Sequence, residues 1–249
     1  VDYMAYAEWQ RTNPEESRAF SAELMKVAGY RTMFFPAGNT DVVWFNNWLS
    51  GRLCIDLKDI KETEFIVRNS IRKILEFCKE KCPAFKNAYL LDIAPQLGVR
   101  CSRRLDGKVY MTMKHMAANV AFDDVIAWST TTGSSVPVEI PYGCIVPKEI
   151  DNLLAPGRHL SADPDAIGPL QLIPQCVQTG QAAGVAAAVA IKDGTTTANV
   201  DIKKVQYILS HEQDVPLPRQ DNTNQDMVKE MEACNYGRDS ERAKRILAK

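Results

Sequence analysis

Apolar residues recur at helical spacing in four places along the chain and at alternating spacing in several others. From Asp59 to Cys82, the residues Phe65, Ile66, Ile71, Ile74, Leu75 and Cys78 form one stripe, with lysines, arginines and glutamates filling the remaining faces. Asp59 is the predicted cap of this surface helix and Pro83 its stop. Residues 1 to 30 read as two helical pieces divided at Asn13-Pro14, where Asn13 caps and Pro14 takes the first turn. The β-branched and aromatic run from Thr40 to Trp48, between Gly38 and Gly51, predicts a strand with Trp44 and Trp48 on one face and Asn47 on the other.

Further strands are predicted at Tyr89 to Ala94, at Lys108 to Met113, over Val136 to Val146 with Pro137 and Pro141 holding it to an edge or irregular geometry, and at Leu153 to Ala155. Ser129 to Ser135 reads as a polar loop. After Pro156-Gly157 and a polar loop comes a helix beginning near Pro174, and a short amphipathic helix follows over Asp201 to His211. The long helix carries Gly180, Ala182, Ala183, Gly184, Ala186, Ala187, Ala188 and Ala190, so another backbone can approach it closely. Pro174 costs nothing in a first turn, and the unpaired amides there favour an anion or an electron-rich ligand. Composition alone also fits a plain alanine-rich core helix. The loop before it, with Gly157, Arg158, Ser161, Asp163, Gly168 and Gln171, adds a polar approach to the helix start, where open α/β sheets bind ligands. The fold class expected is α/β with α+β character.

Charge and cysteine content narrow the classes. Thirty Lys and Arg balance 31 Asp and Glu over 249 residues, which gives no basic field for nucleic acid. The uncharged run from Leu170 to Ile191 contains five Gln and Thr side chains, so a buried helix is expected there and no membrane span. Seven cysteines, an odd number, read as reduced thiols of a cytoplasmic protein. Cys78 and Cys82 lie four apart on the predicted helix without a second close Cys/His pair, so no metal site is expected. Arg100, Arg103 and Arg104 follow Gly98 and concentrate positive charge suited to a carboxylate or phosphate; salt bridging within the protein fits equally well. His115 is one of three histidines and a candidate acid/base or substrate contact. Tyr142 is a candidate for stacking, although packed tyrosines are commoner.

Three blocks carry a family resemblance: APQLGVRCSRRLDG (94–107), IPYGCIVPKEIDNLLAPGR (140–158) and LLAPGRHLSADPDAIGPLQLIPQCVQTGQAAGVAAA (153–188). In this order they resemble the C-terminal, flavin-contacting half of bacterial FAD-dependent oxidoreductases with two dinucleotide-binding domains, the glutathione-reductase-like type. The resemblance implies FAD as cofactor and hydride transfer between an organic substrate and the flavin. It implies flavin contacts from Gly157, Arg158, Ser161, Gln171, Leu172, Pro174, Gln175 and Cys176. His159, Arg103, Arg104 and His115 become catalytic candidates, and Asn46, Asn47, Arg100 and Tyr142 candidates for substrate binding. The family usually carries an acid where Cys101 stands, so its proton chemistry does not transfer intact. The family's GxGxxG turn for the ADP half is also missing: Gly29, Gly38, Gly51 and Gly98 are isolated. The expected organisation is a substrate or cap portion at 1–146, the C-terminal part of an FAD-binding domain at 147–212, and a charged extension at 213–249. The expected partners are a small-molecule substrate and a Rossmann-containing chain or missing N-terminal half, with neither nucleic acid nor membrane. The alternative is a non-catalytic half-flavoprotein retained as an assembly subunit.

Overall fold

Asn13-Pro14 separates α1 (Tyr3–Thr12) from α2 (Pro14–Ala28), as the pattern requires. Asn13 makes no capping bond with its side chain, which instead donates to the Trp9 carbonyl closing α1. Gly29 ends α2 at φ +76°, a conformation that only glycine adopts without strain, and its N–H closes the last turn on Met25. This computed structural model describes residues 1–30, 32–38, 41–49, 51–130 and 137–218. Most of the predicted loop at 129–135, and the charged extension from residue 219 onward, lie outside the described residues. Contacts divide the chain into two units, Val1–Val99 and Arg100–Lys249.

In the first unit, β1 (Thr32–Pro36) pairs antiparallel with β2 (Val43–Asn47), with Phe34 opposite Phe45 and Phe35 opposite Trp44. Alternation turns Phe34 and Phe45 inward and leaves Phe35 and Trp44 exposed. α3 (Leu57–Lys81) starts three residues earlier than its predicted cap implies. Asp56 is the cap, and it accepts from the N–H of Asp59, the residue that the sequence offers for that role. Ile74 and Cys78 are its most buried side chains. A 3₁₀ turn at Pro83–Phe85 then drives Phe85 into the core, where the rings of Tyr6, Phe34 and Phe45 lie 5.4, 5.2 and 6.2 Å away.

The second unit has a separate core. α4 (Met113–Ala117) leads to β3 (Val125–Ser129), which pairs antiparallel with β4 (Val138–Pro141) through an irregularity between Val125 and Ala127. α5 (Ile167–Leu170) is a single turn before α6 (Ile173–Asp193), and α7 (Ile202–Tyr207) runs into a wider turn at Ile208–Glu212. The architecture is thus mixed helix and strand, with two small antiparallel sheets. Three predicted strands are not regular strands. Tyr89 to Ala94 has no assigned element, Lys108 to Met113 forms no continuous ladder but a single bridge at Met111–Ala162 and scattered main-chain bonds to Val146, Gly143 and Ser161, and Leu153 to Ala155 is irregular with Ala155 N–H bonding the Ile145 carbonyl. Val136 to Val146 keeps only the four residues of β4 before a 3₁₀ turn.

α6 packs one face on β3. Ala182, Ala183, Val185, Ala186, Val189 and Ala190 are buried, and short side chains set that close approach. The outward face carries Ile173, Val177, Gly180, Gly184, Ala188 and Ile191. A Cβ built on Gly184 meets nothing within 4 Å. Gly184→Ala is therefore expected to stabilise the isolated chain by about 0.4–1 kcal/mol, because alanine loses less backbone entropy on folding. A thermal melt of the variant chain reads this directly, and a lower midpoint would show that the outward face is already covered.

Candidate functional site

The loop between Pro156 and the start of α6 is held from both sides. Gly157 sits at φ +92°, and its N–H donates to Thr179 Oγ1 on the second turn of α6 (3.1 Å), while the Thr179 hydroxyl donates to the Gln175 carbonyl (2.7 Å). Ser161 is fully buried. Its N–H donates to the Cys144 carbonyl, and its Oγ accepts from Gly107 N–H at 3.1 Å. A Cβ on Gly107 would stand 2.7 Å from the Ser161 Cβ, so only glycine lets the two segments meet there. The described polar contacts of Gly157 and Ser161 therefore serve the fold.

The arginine-rich stretch comes to the same place. Leu105 N–H donates to the His159 carbonyl (2.8 Å), which draws residues 100–105 alongside the loop. Gln171, buried just before α6, joins them to the helix start. In one orientation its amide donates to Cys101 Sγ at 3.0 Å. Turned over, it donates to the Arg100 carbonyl at 3.1 Å and accepts from Arg100 Nη2 at 3.2 Å, which satisfies both ends of the amide and is the arrangement we adopt. Cys176 Sγ meets the Gln171 carbonyl at 3.5 Å from the other side. Burial pushes the Cys176 thiol up from its ordinary value, and the positive charge of Arg158 pulls against that. Arg100, Cys101, Arg158, Gln171 and Cys176 thus surround the start of α6, with His159, Arg103 and Arg104 on the adjoining loop segments.

That start is chemically open. Leu172 occupies the cap position without a side-chain bond, Pro174 lies in the first turn, and Ile173 is 81% exposed. The uncapped first-turn amides and the nearby guanidinium groups make this end of α6 attractive to negative charge. Gln175, 5% exposed, donates to the Trp128 carbonyl (3.2 Å), and Gln178 accepts from Trp128 N–H (2.9 Å). These two glutamines clamp α6 onto β3, and the Gln175 side-chain oxygen is left buried without a donor. The Trp128 clamp and Thr179 were not read from the sequence. Their only signal is a polar residue recurring on the inward face of an otherwise alanine-rich helix.

Two further candidates lie elsewhere in the second unit. His115 is buried on α4 with its Nδ1 2.7 Å from Thr112 Oγ1, the residue capping that helix. The Tyr142 hydroxyl donates to the Thr197 carbonyl (2.7 Å), and burial raises its pKa. Asn46 and Asn47 belong to β2 of the first unit, Asn46 exposed and Asn47 half-buried. A cavity of about 390 Å³ lined by Val189, Asp193, Lys204 and Tyr207 lies at the other end of α6, roughly 30 Å from its start at 1.5 Å per residue. Lys204 there pairs with Asp193 at 2.6 Å across an exposed surface, so we do not place the site in it. Among the described residues no group of three or more His, Cys, Asp or Glu is placed to hold a metal, and no helix is long and apolar enough to cross a membrane.

The family model described as FAD dependent oxidoreductase matches residues 3–209. No curated protein and no solved structure matches the chain significantly. The matched family implies FAD, and the groups at the start of α6 suit its flavin end: open first-turn amides and the Arg100 guanidinium as donors, and the orphaned oxygen of Gln175 as an acceptor. The ADP end finds no such counterpart. Among the described residues Gly29 terminates a helix, Gly51 and Gly98 lie in irregular segments, and no glycine cluster joins a strand to a helix start.

Proposed function

The chain belongs to the FAD dependent oxidoreductase family, and on that premise we propose that it is the substrate-facing and flavin-contacting part of such an enzyme. In this reading the ADP half of the cofactor is gripped by a dinucleotide-binding unit that lies outside residues 1–249. The observation that carries the proposal is the convergence of Arg100, Arg158, Gln171 and Cys176 on an uncapped 21-residue helix within the matched region. When bound, FAD supplies the acceptor or donor of a hydride, and the polypeptide fixes orientation and local charge. The first-turn amides of α6 favour the negative charge that accumulates when a bound ring is reduced. Gln175 and Gln178 hold the helix start rigidly on β3. Arg103 and Arg104, with His159, are assigned to the wall facing the substrate, where a guanidinium pair binds and orients a carboxylate or a similar anion.

A second reading is favoured by one observation. Cys101 occupies the place of a family acid, so the chain is alternatively a non-catalytic assembly subunit. Replacing both Arg103 and Arg104 with alanine separates the readings. The first expects turnover of the FAD-loaded enzyme to fall at least about tenfold, the loss of one charge-assisted contact of roughly 1.4 kcal/mol or more, with bound flavin unchanged. Unchanged turnover would leave the assembly role in place.

A further inference from the structure

Gln175 carries a hydrogen-bonding requirement that the chain does not meet. Its Nε2 donates to the Trp128 carbonyl at 3.2 Å, and because a carbonyl can only accept, that bond fixes which end of the amide is the oxygen. The side chain is almost wholly buried, and among the described residues nothing donates to its Oε1. Solvent does not reach the atom, so no water supplies the missing donor, and a buried acceptor in that state is costly. Gln175 is the third residue of α6, and helix side chains lean toward the N-terminal end, which carries the amide back over the open helix start. The Ser102 hydroxyl, on the arginine-bearing segment that Leu105 and Gln171 draw alongside, is buried without a partner as well.

We propose that Gln175 Oε1 reads a ring N–H of the cofactor, so that the occupant of the α6 start is the imide edge of the flavin, an N–H between two carbonyls, and not one of the cofactor's phosphates; this rests on the functional reading above and deepens it. The chemistry of the groups present decides between the two. The first-turn amides only donate, the Ser102 hydroxyl donates or accepts, and Gln175 Oε1 only accepts. A phosphate or carboxylate suits the amides, yet it brings further lone pairs toward Oε1 and leaves that atom unsatisfied. An imide edge offers acceptor, donor and acceptor in sequence, so its carbonyls meet the amides and Ser102 while its N–H meets Gln175. The Trp128 bond lies at the long end of the ordinary range, which lets the Gln175 amide turn toward the ring without losing it. A glutamine also keeps this acceptor uncharged, so it does not oppose the negative charge that the ring gains on reduction.

FAD methylated at the imide nitrogen tests the assignment, with the chain assembled with the polypeptide that carries the dinucleotide-binding unit. The wild-type assembly is expected to bind the methylated cofactor at least about fivefold more weakly than FAD, the loss of one net hydrogen bond, read as dissociation constants from flavin fluorescence. In Gln175→Met the two cofactors should bind within about twofold of each other. A second measurement needs no variant: with FAD labelled with ¹⁵N at the imide nitrogen, its proton should exchange with solvent at least about tenfold more slowly in the wild-type assembly than in free FAD. If the wild-type assembly holds FAD, then equal binding of the two cofactors, discrimination that survives in Gln175→Met, or an imide proton that exchanges as in free FAD overturns the inference while the functional reading stands; equal binding assigns the helix start to a phosphate. A wild-type assembly that holds no FAD removes the functional reading and the inference with it.

Discussion

Phe85→Ala is expected to destabilise the first unit by about 3–5 kcal/mol, the range for truncating a buried phenylalanine. Phe85 has no exposed surface, and its ring is the common neighbour of Tyr6 on α1, Phe34 on β1 and Phe45 on β2. Removing it leaves a cavity where those three elements meet, and the two-stranded sheet has little stability of its own with which to collapse onto the gap. For a unit of this size the loss corresponds to a fall in midpoint of at least about 12 °C. Tyr89→Ala, four residues on, is the control: its side chain is solvent-exposed, and a change within about 0.5 kcal/mol is expected. Calorimetry of both variants decides it, and similar midpoints would show that Phe85 is not the centre of this core.

Gln175→Glu is expected to have the largest effect on cofactor retention. Gln175 is almost wholly buried in the first turn of α6, donates to the Trp128 carbonyl, and lies at the helix start where we propose that the flavin end of FAD binds. The substitution removes the donor and confronts the Trp128 carbonyl with a carboxylate, while placing a buried negative charge beside a ring that itself becomes negative on reduction. The helix start offsets part of that cost, since an acid in a first turn is otherwise favourable. The balance is set by burial, and at least a tenfold weaker retention of FAD is expected, equivalent to about 1.4 kcal/mol. Flavin released on dialysis of the variant assembly measures it. Gln175→Met, which keeps the length without charge, should lose less, and equal loss in both would assign the effect to the Trp128 bond alone.

Where local chemistry decides an element, the sequence already shows it. Asn13-Pro14 marks the break between α1 and α2, the charged and apolar stripe marks α3, and Pro174 with the alanine-glycine run marks α6. The strands were less legible. β1 was missed because TMFFP is short and ends in proline, and its partner β2 is visible only because aromatic residues alternate there. Tyr89 to Ala94 and Lys108 to Met113 have strand composition but no continuous partner among the described residues, and pairing, unlike a helix, is a property of two segments. Within the candidate site, Arg100, Arg158 and Gln171 could be singled out by residue type and Cys176 through the family resemblance, and the structure draws them together. The Gly157–Thr179 bond and the Trp128 clamp could not be read, since each joins residues more than twenty positions apart through single hydrogen bonds.

The most direct test of the account is the flavin content of this chain, measured by visible absorbance after denaturation, alone and when assembled with the polypeptide that carries the dinucleotide-binding turn. The account predicts no retained FAD for residues 1–249 alone and one FAD per chain in the assembly. Stoichiometric FAD on the chain alone, or an assembly that remains colourless when FAD is supplied, would contradict it.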